Sequence, residues 1–137
     1  MPKTRVKAYP RSLLALMGET SSAIMKARAL AAMGMPELAR LAWLSAAAGE
    51  EQVAPLLEML SRDREAAVHR ISAASCYQSA EELGKAINLY RAALAGPLLE
   101  PMREETKQKI ADCLARLAHS ANGNAARRHT KRGSSRS

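Results

Sequence analysis

Residues 76–94 read CYQSAEELGKAINLYRAAL. Small and ring-bearing side chains alternate here at helical intervals, and a charged, glycine-containing segment interrupts them. Ala74 and Tyr77 lie on the upstream side, Ala86, Tyr90, Ala93 and Leu94 on the downstream side. This spacing predicts two antiparallel helices. Small side chains at Ala74 and Ala86 let the two backbones approach closely, because alanine adds little bulk and favours helix. Tyr77 and Tyr90 then fill the wedges beside that contact. Ala93 leaves room for a further helix.

The same reading extends outward. The first helix is expected to start near Ser12 or within Thr20-Ser21-Ser22, since all four residues are good helix caps. Ile24, Ala27, Leu30 and Ala31 recur at threes and fours, a helical stripe. Gly34-Met35-Pro36 breaks it, and proline opens the next helix with Glu37 in its first turn. That helix is expected to stop near Ala48-Gly49, and a third to begin near Glu50 with Pro55 about one turn inside. Ser61-Arg62-Asp63 either bends the chain or caps a separate helix from Arg64. Val68, Ile71, Ala74 and Tyr77 carry the pattern to Gln78–Glu82, and helix resumes at Leu83. Gly96-Pro97 ends it. A last helix is expected from about Pro101 to His119, closed by Asn122-Gly123-Asn124. With few β-branched residues to favour strands, the fold class predicted is all-α, five or six antiparallel helices on short turns.

Charge divides the chain into three parts. Lys3, Arg5, Lys7 and Arg11 make residues 1–11 a basic N-terminal arm without acids. Arg127, Arg128, Lys131, Arg132 and Arg136 make the C-terminus basic. Between them, 12 basic and 13 acidic residues nearly cancel. The net charge of +8 therefore belongs to the ends, and the helical domain, residues 12–119, is close to neutral. Residues 120–137 have no apolar periodicity and are expected to be a disordered basic tail. Its five cations can each neutralise a phosphate, but no aromatic interleaves them for base stacking. Docking to nucleic acid or to an acidic protein both remain open for it.

The spacing of Ala74, Tyr77, Leu83, Ala86, Tyr90, Ala93 and Leu94 resembles the tetratricopeptide repeat (TPR), a 34-residue helix–turn–helix unit. The frame runs from about Ala67 to Glu100. Arg70 stands where that family prefers tryptophan, Ala73 where it prefers leucine, and Gly84 lies three residues after the usual turn glycine. A fainter copy upstream is carried by Gly34, Glu37, Ala39, Trp43 and Ala46. Ala39 and Ala86 are 47 apart, so 13 extra residues around Gln52–Arg64 must lengthen a helix or insert one. The resemblance implies helical hairpins stacked as a short TPR-like solenoid with a C-terminal capping helix at residues 101–119. It also implies a groove that binds protein segments. Groove positions carried over are Ser21, Ile24, Arg28 and Ala31 from the first copy and Val68, Ile71, Ser75 and Gln78 from the second. The competing reading is that these side chains pack against the inserted helix. The family's Lys and Asn carboxylate clamp is absent: Ile24, Arg28, Ile71 and Ser75 stand there instead.

No catalytic constellation emerges. His69 and Cys76 are seven apart on one helical face, but two ligands do not make a zinc site, and Cys113 and His119 have no close pairing. Buried thiols and a surface histidine explain them better. Glu50-Glu51 and Glu81-Glu82 are expected at helix beginnings, where carboxylates favour the dipole. Met25, Met33, Met35 and Met59 are expected to fill gaps among the alanines. No cofactor or metal is expected. Two cysteines 37 apart form no disulfide framework, and no apolar run is long enough for a membrane span. The expectation is a cytoplasmic adaptor, scaffold, chaperone or assembly factor that binds another protein, with homo-oligomerisation as a further route. The alternative is a small helical RNA- or DNA-binding protein acting through its basic termini. Arginine outnumbering lysine, with the alanine excess, points to a GC-rich bacterial genome.

Overall fold

The computed structural model describes the backbone of residues 8–134 and the side chains of residues 8–123. Five helices follow in order: α1 (Arg11–Ala32), α2 (Pro36–Met59), α3 (Asp63–Ser79), α4 (Leu83–Leu94) and α5 (Glu100–Ser134). No strand occurs among the described residues. Each helix packs mainly on the next one in sequence. Short turns make the neighbours antiparallel.

The first three turns are one structure built three times. A helix ends at Met33, Leu60 or Ala80. The next residue takes a left-handed conformation: Gly34 at φ 73°, Ser61 at 60° and Glu81 at 65°. The following N–H then reaches back to the helix: Met35 to the Leu30 carbonyl at 3.0 Å, Arg62 to Leu57 at 2.9 Å, Glu82 to Tyr77 at 2.9 Å. This is the Schellman arrangement, which satisfies carbonyls the helix end would leave bare. Four residues into each new helix stands a buried alanine, Ala39, Ala66 or Ala86. The chain thus enters every new helix in the same way, on a side chain small enough for close contact with the previous one.

The crossing predicted from residues 76–94 is present. Ala74, Tyr77, Ala86 and Tyr90 are all buried in one cluster with Ala46, Ala47, Leu83, Ile87 and Cys113. The Tyr90 hydroxyl donates to Gln78 Oε1 at 2.7 Å, so the deepest tyrosine keeps its polar end satisfied. A second cluster joins Leu13 to Val53, Ala54, Leu57 and Ala66. A third, formed by Ala67, Ala93 and Leu98 with Met102 against it, lies where α5 joins.

Several expectations are corrected. No helix ends at Gly49: α2 runs unbroken for 24 residues through Gly49 and Pro55. The 13 extra residues therefore lengthen a helix instead of inserting one. Pro55 is exposed, so the carbonyl its ring strips of a partner faces water. Val53, Ala54 and Leu57 on the opposite side are almost wholly buried and hold the helix together. Gly49 is a close-contact position, since a Cβ there would fall on the Thr20 hydroxyl. Glu50 and Glu51 consequently lie in mid-helix. Met25, Met33, Met35 and Met59 are exposed, not gap fillers; alanine-on-alanine contacts bring the backbones too close to leave gaps. The last helix begins at Glu100 and does not close at Asn122-Gly123-Asn124. Its backbone stays helical to Ser134, so most of the expected disordered tail is helix. No proline interrupts it, and Ala125-Ala126-Arg127-Arg128 are good helix formers. At the other end α1 starts at Arg11, beside the expected Ser12. Residues 1–7 of the basic arm lie outside the described residues. Tyr9 is tied down: Arg62 stacks over its ring at 4.3 Å, and its hydroxyl donates to Glu65 at 3.1 Å.

Candidate functional site

The residues carried over as a groove divide into two sets. Ser21 and Arg28 on α1 and Ser75 on α3 are exposed, as is Ala31. Ile24 and Ile71 are half-buried and border the same core cluster, so α1 and α3 bring them to one region. Val68 and Ile71 turn toward Ala67, Leu98 and Met102. Val68 therefore packs where α5 joins, and Ile71 bridges that cluster and the central one. Gln78 is held by Tyr90. What remains exposed is Ser21, Arg28 and Ser75, the last also within hydrogen-bonding reach of Tyr90, beside isoleucines that pack against the core.

Nearby lies a polar group the sequence did not reveal. Glu50 is only 6% exposed, in the middle of α2. Its Oε2 lies 2.7 Å from His69 Nδ1 on α3. A buried carboxylate without a partner is costly, so this pairing stabilises the α2–α3 contact. Cys76 lies close by. Burial pushes its thiol up to about 11; the Glu50 charge adds to the rise and the Arg28 guanidinium opposes it. Arg28, Glu50 and Cys76 are thus within electrostatic reach of one another where α1, α2 and α3 meet. The thiol is a poor nucleophile, since the thiolate is the reactive form and burial suppresses it. Burial also raises Cys113. Among the described residues no group of three His, Cys, Asp or Glu is arranged to hold a metal ion.

Neighbouring ion pairs link one helix to another. Arg70, at the position where tryptophan was the family preference, makes a two-pronged pair with Glu58 at 2.9 and 3.1 Å. It lowers the Glu58 pKa through that hydrogen bond and its charge. Arg40 donates to the Ala80 carbonyl at 3.0 Å and to Glu82 at 2.7 Å, bracing the third turn from α2. Arg116 on α5 pairs with Glu81 in that same turn. Tyr77 donates to Glu51, and burial together with this carboxylate pushes its phenol up to about 12.

A second concavity lies on the outer side of α1 and α2. It is a cleft of about 540 Å³ lined by Glu19, Ser22, Ala23, Lys26 and Leu30 of α1 and by Leu38, Leu41, Ala42 and Ser45 of α2. A smaller hollow continues it along the hairpin past Leu16, Ala48 and Gln52. Leu38 is 50% and Leu41 61% exposed. Sequence periodicity placed Leu38 and Leu41 on a helix but gave no sign that the face they share stays uncovered.

Arg127, Arg128, Lys131 and Arg132 lie on the α5 backbone beyond the described side chains, and Arg136 lies outside the described residues altogether. No helix among the described residues is long and apolar enough to cross a membrane. No protein-family model matches the chain, and no curated protein matches it.

Proposed function

We propose that the chain is a non-enzymatic protein-binding module, an adaptor, chaperone or assembly factor, built as two TPR-like hairpins closed by a capping helix. The observation that supports it best is the threefold use of one turn. It repeats the same entry geometry at α2, α3 and α4, and one core cluster draws residues from both α1 and α3. A fold made from repeated hairpins offers side chains from alternate helices along one face, and such faces suit extended protein segments. Here that face offers Ser21, Arg28 and Ser75, two hydroxyls and a cation. An extended segment carrying an acidic residue is the chemistry that fits.

The test starts from a co-purifying protein identified by mass spectrometry and then prepared pure. Its affinity is measured by calorimetry for wild type, Arg28→Glu and Ser75→Tyr. Arg28 and Ser75 are both exposed, so folding is expected to survive. Arg28→Glu should weaken binding at least about tenfold, the equivalent of 1.4 kcal/mol, while Lys109→Glu should not. A variant ending at Ser120 should bind as wild type. The reading fails if truncation alone abolishes binding and the intact chain holds random RNA or DNA with steep salt dependence.

A further inference from the structure

The α1 side of the outer cleft has an order that is complementary to its own reverse. Leu16, Glu19, Ser22-Ala23, Lys26 and Leu30 all line the cleft or its continuation. The run is apolar, acid, small, small, base, apolar. Its midpoint falls between Ser22 and Ala23. Glu19 and Lys26 are seven residues apart, two helical turns on one stripe. That separation is too long for them to pair with each other, and neither pairs with another described side chain.

We propose that this face binds a second copy of the chain, forming a twofold-symmetric dimer in which α1 lies antiparallel to its counterpart about the Ser22–Ala23 point. An antiparallel copy sets Glu19 opposite the second Lys26 and Lys26 opposite the second Glu19. Small side chains at the centre let the backbones approach. Leu30 meets the region of the second Leu16. The exposed Leu38 and Leu41 on α2 flank the contact and lose their water. An isologous interface must be self-complementary, and charge order is the property that makes this stripe so: a unique partner would need a matching acid–base pair of its own, whereas a second copy already has one. The chain's own N-terminus is a poorer occupant, because Tyr9 is held by Arg62 and Glu65 at the α2–α3 turn. This inference is independent of the partner surface proposed for Arg28 and Ser75.

The experiment is sedimentation equilibrium of the full chain, for wild type, Glu19→Lys, Lys26→Glu, the double exchange, and a one-to-one mixture of the two single variants. Circular dichroism checks that each is folded. Wild type should dimerise. Each single variant turns two attractive pairs into two repulsive ones and should raise the dissociation constant on the order of tenfold or more. The double exchange should restore the dimer. The mixture should restore it as well, since all-lysine then faces all-glutamate. Ser22→Cys should form an intermolecular disulfide on mild oxidation, while Met25→Cys, off the stripe, should not. A wild-type monomer at all concentrations overturns the proposal, whether residues 1–7 or another protein fills the cleft. So does a dimer indifferent to these charges, or one that neither the exchange nor the mixture restores.

Discussion

The two ends of the helical stack are made alike and finished differently. At one end, α3 and α4 meet through Ala74 and Ala86, and α5 covers them with Met102, Thr106, Ile110 and Cys113. At the other, α1 and α2 meet through Ala27, Ala39, Ala42 and the Gly49–Thr20 contact, but Leu38 and Leu41 stay in water. The turn joining each pair is the same. What separates the ends is therefore the presence or absence of a covering helix, not the hairpin itself. Covering makes the α3–α4 end intolerant of change and rich in suppressed ionisations. Leaving the α1–α2 end bare makes it adaptable and available.

The contrast can be broken hardest with alkali. Cys76, Tyr77 and Tyr90 all belong to the covered end, and burial raises them to about 11, 12 and 12. An unfolded cysteine releases its proton near 9, so between pH 9 and 11 the unfolded chain binds fewer protons than the folded one. Stability must then fall as pH rises. Cys76 alone should cost on the order of 2 kcal/mol by pH 11, and the tyrosines extend the loss above pH 10. Urea unfolding at pH 8 and 11 measures it, and Cys76→Ala should remove most of the first part. Overpacking gives the next largest effect. Ala86→Leu should cost about 1–3 kcal/mol in urea unfolding, whereas Ala42→Leu, at the edge of the open cleft, should cost under about 1 kcal/mol because its side chain can grow outward. Equal costs would erase the difference between the ends.

Gly49→Ala isolates the joint of the open hairpin. In an exposed helix it would gain about 1 kcal/mol. Here it should lose about 1–2 kcal/mol against the Thr20 hydroxyl, and most of that loss should vanish in a Thr20→Ala background, as a double-mutant cycle would report. The smallest expected effect is a gain. Ser61→Gly relieves a left-handed residue and should stabilise by about 0.5–1 kcal/mol; Gly34→Ala should do the reverse. Thermal unfolding of the pair tests whether the three turns are energetically as alike as they are geometrically.

Much of the architecture was readable from residues alone, for a physical reason. Ala74, Tyr77, Ala86 and Tyr90 interact across one turn, and Gly34-Met35-Pro36 is a strong local punctuation, so both signals are short-range. Gly49 was misread as a helix end because its small size serves Thr20, 29 residues earlier in the chain. The breaks at Ser61-Arg62-Asp63 and Gln78–Glu82 were legible, but not that Ser61 and Glu81 take a glycine's left-handed conformation there; hydrogen bonds along the helix end hold them in it. Glu50 and His69 look like unrelated polar residues until α2 and α3 align. Among the groove positions, Ser21, Arg28 and Ser75 are exposed, while Val68, Ile71 and Gln78 are committed to packing or to Tyr90. The sequence could not tell these apart, since a helical stripe shows which side is apolar but not which neighbour covers it.

Packing each helix chiefly on its predecessor has a kinetic consequence. The chain needs only short loops to bring its partners together, and such low-separation topologies collapse and order within microseconds to milliseconds. Each hairpin can form as it emerges in synthesis, before the one after it exists. α5, held principally by α4, is then the last of the described helices to dock, since the cluster that receives Cys113 is built by α2, α3 and α4 before it.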